Sequence, residues 1–196
     1  MLDKKSFYIN GEWVSPIEPR NFKVIDPSNE EVCAEISLGG KKDIDKAVSS
    51  AKKAFNSWAY SSKEERLDLL EKLYVVYKKR WAEMAKLITL EMGAPMKFST
   101  EMQAATGASH IKSFKNILKD FKFERDLGEE KNNQKLLYEP KGVCALITPW
   151  NWPINQVNLK VIPALASACT VVLKPSEIAP LSSMLLAEMI DEVKFP

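Results

Sequence analysis

The stretch that begins at Gly142 constrains the fold of this chain most tightly. Val143 to Thr148 is an unbroken apolar run, too short for a buried helix and closed by Pro149, so it reads as a strand. An apolar helical stretch follows from Ile154 to Ala168, then a second apolar strand, Thr170 to Leu173, and a second helix, Leu181 to Val193. Strands without polar alternation are those that a parallel sheet buries on both faces, and strand–helix alternation is how such a sheet is built. The expected class is therefore α/β, with the start of a parallel, Rossmann-like sheet over 142–196.

The preceding residues are organised differently. Phe7-Tyr8-Ile9-Asn10-Gly11-Glu12-Trp13-Val14 predicts a hairpin, because Asn-Gly supplies the two positive-φ positions of a type I′ turn. Phe22 to Ile25 and Val32 to Ile36 predict a second strand pair around the turn Asp26-Pro27-Ser28-Asn29. Such ribbons are marginal alone and are expected to lie on something larger. Ile44, Ala47, Val48, Ala51, Phe55 and Trp58 then fall on one helical face. Ser62 with Glu65 has capping-box spacing, and a helix through Trp81, Met84, Leu87 and Ile88 should stop at Gly93, ahead of Pro95. A further helix is expected from about Met96 to Phe121. Residues 122–141 read as two extended stretches around a polar loop, Asp126 to Asn133, which makes a projecting β-ribbon. The division is 1–121 for hairpins and helices, 122–141 for the ribbon and 142–196 for the sheet.

Composition excludes several function classes. The 196 residues are enough for one cored domain, and 28 basic against 26 acidic residues leave a net charge of +2. That balance provides no field for nucleic acid or an anionic membrane surface. Cys33, Cys144 and Cys169 have no metal-ligand or paired spacing, so they read as reduced, packed thiols and no metal is expected. Neither a leader-like apolar segment nor a membrane-length run occurs, and the expected location is cytoplasmic.

Ligands of open parallel sheets bind at the carboxyl ends of the strands. The first strand ends Thr148-Pro149-Trp150-Asn151-Trp152-Pro153, a corner stiffened by two prolines. It holds Asn151 either as an amide donor to a developing oxyanion or as the cap of the next helix. The second ends Lys174-Pro175-Ser176-Glu177, which suits a ribose diol but taken alone fits a strand-to-helix turn more readily.

Gly142 to Pro153, Lys160, Pro163-Ala164-Leu165-Ala166, Thr170 to Glu177 and Pro180-Leu181, in that order and spacing, resemble the aldehyde dehydrogenase superfamily. The resemblance extends back through Glu91-Met92-Gly93, the helix of Ala51, Phe55 and Trp58, and Asp26-Pro27 to the opening hairpin. It implies an NAD(P)-dependent oxidation of an aldehyde to an acid. Asn151 then matches the oxyanion-stabilising amide, and Lys174 and Glu177, with Pro175 and Ser176 between them, match residues at the adenosine ribose. Ile147, Thr148, Pro149 and Trp150 match the lining of the cofactor cleft, and Trp152, with Gln156 beyond it, a wall of the substrate tunnel. The 122–141 ribbon matches an oligomerisation arm, which implies a homo-oligomer. A carboxylate at Glu177 repels a 2′-phosphate and favours NAD, with NADP as the alternative. Asn155, Gln156 and Leu159 beside the tunnel suggest a small or polar aldehyde.

Two departures stand out. Ala168-Cys169 replaces a usual Gly followed by Asn or Cys, which is harmless unless position 168 needs a positive φ. The family's phosphate-binding GxTxxG turn, glutamate base and cysteine nucleophile do not occur within these residues. Neither Cys144 nor Cys169 has an evident base, and His110 reads as an ordinary helix residue. The expectation is a front portion of the enzyme, inactive alone, with its sheet edges unpaired. The alternative is a non-catalytic binding or interaction remnant.

Overall fold

The computed structural model describes residues 1–128 and 134–196. Strand β1, Leu2–Lys4, pairs in parallel with the later β5. Strands β2, Phe7–Ile9, and β3, Glu12–Val14, form the expected hairpin, with Asn10 at φ 58° and Gly11 at φ 74° in its turn. Strands β4, Asn21–Asp26, and β5, Glu31–Ser37, form the second antiparallel pair, so the sheet runs β1-β5-β4. The sequence pattern did not reveal β1, which has only three residues and mostly exposed side chains.

Helix α1, Lys41–Trp58, starts where Asp43 accepts from the backbone N–H of Gly40 (2.9 Å) and of Ile17 (2.8 Å). Its inward face carries Ala51 and Trp58, whereas Ile44 is exposed, one turn too early to reach the core. Helix α2, Lys63–Lys79, is capped by Ser62, whose hydroxyl accepts from Glu65 N–H at 3.0 Å. Helix α3, Trp81–Met92, ends at Gly93 in the left-handed region.

The helix expected from Met96 to Phe121 is present, with one wide turn inside it. A short turn, α4, Met96–Phe98, passes through a π-helical segment, Ser99–Gln103, into α5, Ala104–Asp120. Periodicity cannot reveal a single wide turn of this kind, since it shifts the helical face without breaking the helix. The ribbon is present as strands β6, Glu124–Asp126, and β7, Lys135–Leu137, paired antiparallel. Most of the polar loop expected between them, 129–133, lies outside the described residues.

Strands β8, Val143–Ile147, and β9, Thr170–Lys174, pair in parallel, with helix α6, Pro153–Ala166, as their crossover and α7, Leu181–Val193, after them. The expectation that both strands are buried on both faces fails. Leu146, Val171 and Leu173 turn toward the main core, but Ala145 and Ile147 on the other face are exposed, because α1 covers only the start of that face.

Helix α6 stops two residues before its expected end. Cys169 N–H bonds to the Ala164 carbonyl (2.9 Å) and Ala168 N–H to that of Leu165 (3.1 Å), the paired bonds of a Schellman cap. The cap puts Ala168 at φ 61°, so position 168 does need a positive φ and its methyl is strained.

The main core lies between α2, α3, α5, α6 and α7. Two polar devices hold it. Glu91, 2% exposed at the end of α3, accepts from the first N–H groups of α7, those of Leu181 and Ser182 (3.1 Å for Ser182). Glu188 of α7 receives Lys4 (2.5 Å) and Arg80 (2.6 Å), while Trp13 donates to Asp191 (3.1 Å). These bonds tie the opening strands to α7, the support that so thin a ribbon requires.

Three measurements check this account. Ala168→Gly removes the αL strain and should stabilise the chain by roughly 0.5–1 kcal/mol, read as a higher urea midpoint. At Gly107 an added Cβ would overlap the buried Tyr77 hydroxyl and lie 3.0 Å from Ile154 Cγ1. Tyr77 cannot yield, since it is fully buried and bonded to the Ala104 carbonyl at 2.9 Å. Gly107→Ala should therefore cost roughly 1–2 kcal/mol despite the better helix propensity of Ala.

Burial, opposed by its hydrogen bonds to α7, pushes the Glu91 carboxyl from 4.5 up to about 7. The folded state then holds a proton that the unfolded chain releases. The associated stability is complete below pH 4.5 and is lost as pH rises through about 7. The urea midpoint should fall over that window in the native sequence and stay level in Glu91→Gln.

Candidate active site at the strand ends

Register assembles the site. Ile147 lies opposite Lys174, and Thr148 N–H continues the ladder to the Lys174 carbonyl at 3.3 Å. The segments Ile147–Trp150 and Lys174–Glu177 therefore leave the sheet side by side, at the carboxyl ends that parallel sheets use for ligands.

On the β9 side, Lys174 Nζ donates to Glu177 Oε2 at 2.9 Å, and both groups reach solvent. Lys174 holds the Glu177 carboxyl below its ordinary value, so the group is an anionic acceptor at neutral pH. Ser176 Oγ accepts from Ile178 N–H at 3.3 Å and shapes the turn, with Pro175 half-buried before it. Ile147 is 71% exposed, and Trp150 and Ile178 are exposed beside the same loops. An open apolar shelf next to an acceptor–donor pair is suited to a flat heterocycle joined to a diol. Thr148 is buried, with its hydroxyl unpartnered among the described residues, and Pro149 is exposed.

On the β8 side the chain turns away toward α6. Trp152 takes φ 53°, ψ 58° at the N-cap of that helix, with Pro153 at its first position and no side-chain cap. Positive φ is rare for a residue of this bulk, and such strain is concentrated at functional positions. The cap residue is Trp152, so Asn151 is not spent on capping and stands exposed beside the corner.

The Trp152 indole meets Phe98 edge to face, with centroids 5.6 Å apart and planes at 76°. Phe98 belongs to the short α4 turn, and the continuous-helix reading of 96–121 left it unnoticed. Gln156 lies one turn on, where Lys160 Nζ approaches both its backbone carbonyl (3.3 Å) and its side-chain oxygen (3.5 Å). His110 Nε2 is 2.7 Å from Asn155 Oδ1, across the α5–α6 boundary.

The cysteines lie away from this corner. Cys33 is on β5, and burial raises its thiol. Burial likewise raises Cys144, on the inner face of β8. Burial pushes Cys169 up, but bonds from Ser167, from the Gly142 and Lys141 backbone and from Cys144 outweigh it, leaving the thiol lowered yet only 4% exposed. Among the described residues no group of three or more His, Cys, Asp or Glu is placed to hold a metal, and no helix is long and apolar enough to cross a membrane.

Comparison with known proteins shows the family. Residues 13–196 match the model of the aldehyde dehydrogenase family. A 3-succinoylsemialdehyde-pyridine dehydrogenase from a Pseudomonas species is 47% identical over all of this chain and 40% of its own length. The crystal structure of an aldehyde dehydrogenase from Bartonella henselae superposes with a TM-score of 0.97 at 55% identity, over 100% of this chain and 41% of that one. A mutant aldehyde dehydrogenase C from Pseudomonas syringae, complexed with NAD+ and octanal, gives 0.94 at 40% identity, over 98% of this chain and 39% of that one. The chain thus spans about 40% of the length of the curated relatives it matches. It belongs to the aldehyde dehydrogenase family.

Proposed function

We propose that these residues form the cofactor-side half of the active centre of an NAD-dependent aldehyde dehydrogenase. The observation that carries the reading is the release of Asn151 from capping duty by the strained Trp152, next to a Lys174–Glu177 pair at the neighbouring strand end. The Asn151 amide donates a hydrogen bond to the oxygen of the aldehyde as negative charge develops on it. It needs no reorientation if its backbone is already fixed, and Pro149 and Pro153 on either side restrict that backbone.

The dinucleotide fits the residues at the strand ends. Glu177 accepts from a ribose hydroxyl while Lys174 donates to its neighbour, so their mutual ion pair is exchanged for two bonds to the diol. Ile147, Thr148, Pro149 and Trp150 form the adjoining wall, with the exposed Ile147 and Trp150 giving apolar cover. Pro175 and Ser176 shape the turn that carries Glu177. The bound dinucleotide supplies the hydride acceptor for oxidation of the aldehyde. Trp152, with Phe98 against it, and Gln156 line the approach of the substrate. The Pseudomonas syringae relative, whose complex holds NAD+ and octanal, supports the same cofactor and substrate class here.

None of the three cysteines in these residues stands at the Asn151 corner, so the attacking thiolate is assigned to a part of the enzyme outside them. Residues 1–121 and 142–196 constitute the cofactor-binding unit, and the 122–141 ribbon is the surface through which copies of the enzyme pair. The enzyme acts in the cytoplasm.

The test is oxidation of short aldehydes by the complete protein that carries these residues, followed as reduced nicotinamide. Asn151→Ala should lower kcat by about 100-fold or more with little change in KM. Removing the carboxylate in Glu177→Ser should shift the kcat/KM ratio toward NADP by roughly tenfold, about 1.4 kcal/mol. A complete protein that binds neither dinucleotide and oxidises no aldehyde would sink the reading in favour of a non-catalytic interaction remnant.

A further inference from the structure

Helices α5 and α6 pack closely along a seam of Gly107, Ala108 and Ile111 against Ile154, Val157 and Asn158. Within the seam Asn158 Nδ2 donates to the Gly107 carbonyl at 2.9 Å, so the helices are already joined by a buried polar bond. Beside it, on the more open side, lies a second polar contact that the helix packing does not require. His110 Nε2 and Asn155 Oδ1 are 2.7 Å apart, and both residues are only half-buried.

The pair has unspent hydrogen-bonding capacity. With Asn155 Oδ1 accepting from His110 Nε2–H, the Asn155 amide keeps both of its N–H donors, and neither is bonded among the described residues. Apolar surface frames the position: the Phe114 ring is 6.5 Å from the imidazole, and the Trp152–Phe98 pair stands one turn back along α6. Water meets these donors while the half-buried pair is open, and a ligand that displaces that water without supplying an acceptor leaves them unmet and is disfavoured.

Position then selects the ligand. Asn155 lies in the first turn of α6, three residues after the N-cap Trp152. An aldehyde whose carbonyl oxygen is held by Asn151 passes Trp152 before reaching the pair. Resting on the aldehyde-oxidising reading above, we infer that His110 and Asn155 determine specificity. They select aldehydes that carry a hydrogen-bond acceptor on the chain beyond the aldehyde group. His110 holds the Asn155 amide by its oxygen and thereby aims its N–H groups at the substrate.

The experiment compares kcat/KM of the complete protein for pentanal, 4-oxopentanal and succinic semialdehyde. The first lacks the acceptor, the second supplies it as a neutral ketone and the third as a carboxylate. The native protein should favour at least one acceptor-bearing aldehyde over pentanal by about tenfold or more. Asn155→Leu and His110→Phe should each bring that ratio to within about threefold, mainly by raising KM for the acceptor-bearing substrate. The two acceptor-bearing compounds tell whether the site takes a ketone or an anion. A tie between two helices would instead lower all three activities together and leave the ratios unchanged, which overturns the inference. Equal or better turnover of pentanal by the native protein overturns it without any variant, while the aldehyde dehydrogenase reading stands. No turnover of any aldehyde overturns both.

Discussion

The pairing of β8 with β9 is the constraint on which the rest of the candidate site depends. Cys144 and Leu146 share a face with Val171 and Leu173, and Leu146, Val171 and Leu173 pack against the main core. A slip of one residue in β9 would turn Val171 and Leu173 outward and bring Thr170 and Lys174 to the inner face. At roughly 1.5–3 kcal/mol for each large side chain taken out of the core, such a slip outweighs any gain elsewhere. The same register makes Ile147 the neighbour of Lys174, so packing chemistry on one face of the sheet fixes the position of polar chemistry at its end. The site inherits its placement from the core.

Helix α6 connects the two strands and is strained at both ends, for different reasons. Trp152 at φ 53° precedes the helix and Ala168 at φ 61° follows it, each at a cost of roughly 1–2 kcal/mol. Buried Ile154, Val157, Val161 and Ile162 anchor the helix between them and offset both costs. At the first end the strained Trp152 is the cap residue, and the Asn151 side chain is left uncommitted. At the second end the backbone needs the αL conformation for its two capping bonds, and the buried Ala168 carries its methyl there under strain.

The parts of the fold legible in the sequence are those with short-range causes. Asn10-Gly11, the Ser62 cap, the Gly93 stop and the order of β8, α6, β9 and α7 follow from local backbone preference and periodicity. Strand β1 was not legible, since its three mostly exposed residues are set by pairing with β5, some thirty residues away. Nor was the π segment, whose extra residue leaves the apolar count of the helix unchanged. Glu91 marked the resemblance, but its bond to α7 joins residues 90 positions apart, and no local pattern announces it. Of the site, Asn151, Trp152, Lys174 and Glu177 were visible through motif order on two strand ends. Phe98 and the His110–Asn155 contact come from a different helix and became visible only with the packing of α4 and α5 against α6.

That packing joins stability and chemistry in one place. Gly107 lets α5 approach α6 closely, with the Tyr77 hydroxyl beneath it and the Asn158 amide bonded to its carbonyl. Three residues on, His110 reaches Asn155 at 2.7 Å, a contact that requires the same short separation between the helices. A larger residue at 107 would push the helices apart, and a displacement of about one ångström would lengthen that bond beyond its favourable range. The small residue that looks purely structural in the core therefore also sets the separation at which His110 meets Asn155.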